Sequence, residues 1–139
     1  MGKLKTFLVI VLSIAIIGTG ATFLLGKEVL GFGNDRPSAE DIAELSVDTD
    51  IITTNLASNN FGVVQFNILL DNKDAKEELD KRKPEVRAAI ISTLAGFTKD
   101  QLVGRQGIIN LEEELLSKLQ TMVETGMVER VLVTEFKVQ

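Results

Sequence analysis

The sequence predicts a small α+β domain carried on an N-terminal transmembrane helix, and three observations predict it. Thr6 to Leu25 is a run of 20 uncharged, mostly apolar residues, and a helix of about 20 residues crosses ~30 Å of hydrocarbon. Phe61 to Leu70 alternates apolar and polar with period two, and Met127 to Val138 is rich in valine, which are strand signatures. Between them, apolar residues recur three and four apart, as on one face of a helix. Two amphipathic helices over a sheet of about three strands form a layered arrangement, in the order β-β-α-α-α-β.

The N-terminal run is taken first. In hydrocarbon its backbone groups can pair only with one another, so the segment is helical. Lys3, Lys5 and the terminal amine form a positive flank, which stays cytoplasmic. This assigns residues 1–5 to the cytoplasm, 6–25 to the membrane and the rest to the far side. A cleaved signal peptide is the rival reading, but its apolar region usually spans about 7–15 residues. Here the small-x-small site Thr19-Gly20-Ala21 is followed by apolar Phe23, Leu24 and Leu25. With no cysteine in the chain, a lipid-modified cysteine and disulfides are both excluded.

Residues 26–45 hold Gly26, Gly31, Gly33, Asn34, Asp35, Pro37 and Ser38 and read as a linker. The domain then runs over 46–139. A first strand is expected over Ser46 to Leu56. Ser58-Asn59-Asn60 makes a turn into the second, where Val64, Phe66, Ile68 and Leu70 share the buried face, so the two strands form an antiparallel hairpin. Asp71 to Lys83 is almost wholly charged and reads as helix, with Glu77 to Lys81 and Glu78 to Arg82 at the i,i+4 spacing. Pro84 marks a kink or a fresh helix start. Val86, Ile90, Leu94 and Phe97 continue as one apolar stripe. Thr98 and Gln101 have capping-box spacing and open a short helix closed by Gly104 or Gly107. Asn110 is expected to cap the last helix, with Glu112, Glu113 and Glu114 in its first turn. Leu111, Leu115, Leu119 and Met122 form its stripe and Gly126 its C′ residue. The final strand is apolar on both faces, which predicts a central position.

The chain has no His, Cys, Trp or Tyr. The usual zinc and copper ligands, a thiol nucleophile and the His base of a serine triad are therefore missing. No phosphate-binding glycine loop and no EF-hand loop is present. Neither an enzyme nor a cofactor is predicted. From Lys27 onward there are 13 basic and 20 acidic side chains, which disfavours nucleic acid as a partner. The charged run Lys76 to Arg87 reads either as a solvated helix or as a contact surface, since arginine forks suit carboxylates of a neighbouring subunit.

The run Glu78-Leu79-Asp80-Lys81-Arg82-Lys83-Pro84-Glu85-Val86-Arg87 resembles a motif of the flagellar basal body-associated FliL family. Thr98 to Leu102, the nearby Gly104 or Gly107, Glu114 to Gln120, and Thr134-Glu135-Phe136-Lys137-Val138-Gln139 are similar to the family's later motifs in the same order. The likeness covers residues 61–139. Ala88, Gln120 and Lys137 depart from the family pattern. The resemblance implies a stomatin/prohibitin-like extracytoplasmic domain, held at the bacterial inner membrane by one helix. It also implies association with the flagellar motor stator, assembly of copies into a ring, and support of rotation, swarming and chemotactic motility without catalysis. Asp80, Arg82, Pro84, Arg87, Glu129 and Gln139 are the expected self-association or partner residues, and the linker near Gly33 to Ile42 is expected to meet the stator. The alternative is a membrane-anchored sensor or ligand-binding module.

Overall fold

A computed structural model of the protein describes residues 36–139. The expected cytoplasmic stretch 1–5, the transmembrane helix 6–25 and the linker residues 26–35 lie outside the described residues. Among the described residues, no helix is long and apolar enough to cross a membrane.

The first element is a helix, α1 (Ala39–Leu45), within the stretch expected as linker. Ser38 Oγ accepts from Asp41 N–H at 3.1 Å, and the Asp41 carboxylate accepts from Ser38 N–H at 3.0 Å. Pro37-Ser38, read as loop formers, are thus the start signal of a helix. This is a capping box with Asp at its third position.

The strand expected over 46–56 is two pieces, β1 (Ser46–Asp48) and β2 (Ile52–Asn55). Both pair antiparallel with β3 (Phe61–Leu70), Val47 opposite Ile68 and Thr53 opposite Val63. Thr49 bridges the gap. Its N–H donates to Phe66 O at 2.9 Å, and its Oγ1 accepts from Phe66 N–H at 3.0 Å. Gln65 Nε2 donates to Thr49 O at 2.9 Å. With the ladder held by a side chain, the chain steps outward and Ile51 is left exposed.

The last strand, β4 (Val128–Val138), pairs antiparallel with the other edge of β3. The centre of the sheet is therefore β3, which corrects the central position expected for the final strand. Two bulges explain the misleading pattern. Gln65 faces Glu135 while Phe66 faces Val133, so Thr134 is an extra residue; Leu69 faces Arg130 while Leu70 faces Val128, so Glu129 is another. Each extra residue reverses the alternation. Val128, Val131, Val133, Phe136 and Val138 consequently pack with one core although their numbers change parity. Leu132 faces out.

Three helices cover the inner face. α2 (Lys73–Lys81) is capped by Asn72, whose Oδ1 accepts from Ala75 N–H at 2.9 Å. α3 (Lys83–Ala95) starts afresh with Pro84 in its first turn, where a missing N–H costs nothing. Thr98 and Gln101 form the expected reciprocal cap, Thr98 N–H donating to Gln101 Oε1 at 2.8 Å and Gln101 N–H to Thr98 Oγ1 at 3.3 Å. The cap opens a 3₁₀ turn (Asp100–Leu102).

The last helix, α4 (Gly104–Gln120), begins six residues before the expected cap at Asn110. Gly104 does not close the preceding turn but opens α4, with φ of 76°, a backbone state that favours glycine. Gly107 lies inside α4. A Cβ there would sit 2.5 Å from the Leu102 carbonyl carbon, so its bare backbone lets the turn lie against the helix. Glu112, Glu113 and Glu114 are mid-helix rather than first-turn residues. Gly126 lies beyond the helix end, where Thr121 is the cap residue, so it is not a C′ glycine. The stripes are as expected except at Met122, which lies past the end of α4 and is only half-buried. Val86, Ile90, Leu94 and Phe97 from α3 and the segment after it, and Leu111, Leu115 and Leu119 from α4, are buried against Val64, Phe66, Ile68 and Leu70 of β3.

Candidate interaction surface

The expected contact residues gather mainly where α2 gives way to α3. Here Glu78 and Arg82 clasp the loop between α4 and β4. Glu78 Oε2 accepts from Glu124 N–H at 3.0 Å, Thr125 N–H at 2.9 Å and Thr125 Oγ1 at 2.7 Å. Its other oxygen lies 3.2 Å from Arg82 Nη2. Arg82 Nη1 donates to Met122 O at 2.8 Å. The hydrogen bonds from Thr125 and Glu124, with the Arg82 charge beside them, hold the Glu78 carboxyl below its ordinary value of 4.5. Arg82 is thus occupied within its own chain. Its guanidinium satisfies a carbonyl at the end of a helix, where a cation is favoured.

Beside the clasp a groove of about 300 Å³ separates the α2–α3 junction from the broken strand. Ile52, Leu79, Val86 and Ile90 form its apolar floor, all nearly or fully buried. Asp50 stands on the strand bank, and Lys83, Pro84 and Arg87 stand on the helix bank. Two interruptions create the groove: the outward step at residues 49–51 and the helix restart at Lys83-Pro84. Asp80 lies 3.7 Å from Lys83. Among the described residues, Arg87 and Asp50 have no ion-pair partner within 4.0 Å.

Asp80, Arg82, Pro84 and Arg87 are therefore brought together, but Glu129 and Gln139 do not join them as one patch. Glu129 is the exposed extra residue of the first β4 bulge. Gln139 lies ten residues further on, roughly 30 Å along an extended strand. There its backbone exchanges two 2.9 Å hydrogen bonds with Phe61, so it closes the sheet. Sequence reasoning missed Asp50, which reaches the groove through a strand break that no single residue announces. It also missed the second role of Glu78. The Glu78–Arg82 spacing was legible, but its loop partners lie more than 40 residues away.

Comparison with known proteins shows the family to which the chain belongs. The family model described as flagellar basal body-associated protein FliL matches residues 46–139. The chain is 36% identical over 123 residues to the flagellar protein FliL of Bacillus subtilis (strain 168), covering 88% of this chain and 87% of that protein. It is 28% identical over 76 residues to the flagellar protein FliL of Aquifex aeolicus (strain VF5), covering 55% of this chain and 47% of that protein. A family match over two thirds of the sequence, joined to a relative aligned over nearly its whole length, settles membership: the chain belongs to the flagellar basal body-associated FliL family, whose role is in the flagellum and motility.

Proposed function

We propose that this protein is a non-catalytic, single-pass membrane component of the flagellar basal body. In this reading it associates with the motor stator units and supports rotation, swarming and chemotactic motility. Residues 1–5 are cytoplasmic, 6–25 span the inner membrane, 26–45 lead away from it, and 46–139 form the extracytoplasmic domain. Copies assemble as a homo-oligomeric ring. The observation that carries the reading is the combination of a 20-residue apolar run with a family match that begins at residue 46 and reaches the end of the sequence. The absence of His and Cys from the whole chain fits a role that is mechanical rather than catalytic.

A fluorescent protein fused to the N-terminus tests it in motile cells. Spots at flagellar bases that disperse when the stator is deleted are expected. Uniform membrane signal from a fusion that restores motility would reject stator association and turn attention to an anchored sensor.

A further inference from the structure

Assembly of copies, as proposed above, requires a surface that another copy can fill, and we propose that the groove beside the α2–α3 junction is filled by the Val103 corner of a second copy. This inference rests on the homo-oligomer reading and adds its geometry.

Val103 is 67% exposed, the most exposed of the large apolar side chains among the described residues. It sits at the sharp corner between the 3₁₀ turn and Gly104, where the positive φ of Gly104 turns the chain into α4. Asp100 precedes it and Arg105 follows it; both are exposed, and neither has an ion-pair partner among the described residues. The corner is thus an apolar knob with Asp100, itself beside exposed Lys99, on one flank and Arg105 on the other. The groove is its complement, an apolar floor with the bases Lys83 and Arg87 on one bank and the acids Asp48 and Asp50 on the other. Seating the knob buries Val103 beside Val47, Pro84 and the accessible edge of Val86, sets Asp100 toward Arg87, and sets Arg105 toward Asp50. Charge pairs at such a rim fix orientation more than they add affinity.

Position makes the contact directional. The groove draws on the first eight residues of α3, whereas the knob follows its last turn. The groove reaches only to Ile90, before the end of the helix, and the knob lies beyond Ala95, so knob and groove are different surfaces of the domain. A surface that fits a different surface of its own kind is heterologous. Repeated, it closes into a ring or runs on as a filament. Continuation of the sheet between copies is the poorer route. One edge is broken at 49–51, and the other carries two bulges with Val133 N–H already taken by Glu112 Oε1 at 2.8 Å. Such features blunt an edge.

The chain has no cysteine, so full-length protein in its membrane gives a clean cross-linking test. Val103→Cys and Arg87→Cys are made singly and together, then oxidised. Each single variant is expected to stay monomeric, a mixture of the two to give one dimer band, and the double variant to give a ladder. In addition, Arg87→Asp is expected to lower the assembled fraction several-fold, and Asp100→Arg added to it to restore assembly. A dimer from Val103→Cys alone would overturn the proposal in favour of a symmetric contact. No cross-link from either position, in protein that still sediments as an oligomer, would overturn the knob and groove while leaving the ring intact. Monomers by sedimentation as well would overturn both. A photo-cross-linker at position 87 that captures only a different membrane protein in cells would overturn the self-contact and make the groove a partner's site.

Discussion

Glu78 is the residue on which the packing of one loop converges. Its carboxylate receives three hydrogen bonds from Glu124 and Thr125 and faces Arg82, so its folded-state value lies below the ordinary 4.5. A depressed carboxyl stabilises the fold above its unfolded value, and that contribution is lost as pH falls through the folded value. The clasp is therefore intact at neutral pH and weakens below about pH 4.5. Glu78→Gln is expected to lower stability at pH 7 and to converge with the parent in strong acid, as read by urea unfolding at a series of pH values. A constant difference at all pH values would show that the charge is not what holds the loop. Gly107 makes a steric argument instead. Its missing Cβ leaves room for the backbone of Leu102, so Gly107→Ala forces the turn away from α4. A loss of about 1–3 kcal/mol is expected. Gly104→Ala, where no atom lies within 4 Å, is expected to cost only the backbone strain of roughly 1 kcal/mol.

At the scale of elements, α4 shows why a run of like residues need not act alike. Glu112, Glu113 and Glu114 look interchangeable in the sequence. In the fold, Glu112 accepts from Val133 N–H at 2.8 Å, Glu114 lies 3.5 Å from Lys118, and Glu113 is exposed without an ion-pair partner among the described residues. Lys118 in turn donates to Thr93 Oγ1 at 3.0 Å, the one buried polar residue of the described core, and so ties α4 to α3. Replacing Glu112 by Ala is expected to cost about 1–2 kcal/mol, because a half-buried N–H loses its acceptor. The same change at Glu113 should stay within about 0.5 kcal/mol. Equal effects in urea unfolding would count against the edge contact. The apolar stripes of α3 and α4 and the alternation of β3 were legible in the sequence, because period alone sets those faces. The true start of α4 was not. Asn110 and three acids imitate a helix start, and only the packing of Gly107 on Leu102 reveals that the helix is already under way.

At the scale of the molecule, one continuous core joins α2, α3 and α4 to β2, β3 and β4. There is no disulfide to hold a part separately. A domain with one core and no cross-link unfolds as a unit. Residues 37–139 are expected to give a single urea transition with an m-value of about 1 kcal/mol/M. Far-UV circular dichroism and amide exchange of core positions should report the same midpoint, and two separated midpoints would divide the domain. The candidate surface belongs to this scale too. Its floor comes from β2, α2 and α3, so any change that loosens the core there, such as Ile90→Ala, also deforms the groove.

The sequence by itself determined the α+β class of the domain, the period and buried face of β3 and of the helical stripes, a break in the helix at Pro84, and family membership. These depend on local spacing and on motifs, which a linear reading contains. Only the tertiary structure decided that β3 is central, that two bulges turn β4 to one core, that Arg82 is spent on its own chain, and that Asp50 and Arg87 line one groove. Each of these is a pairing between distant residues. Its energy exists only once the helices have packed on the sheet, and no spacing along the chain encodes it.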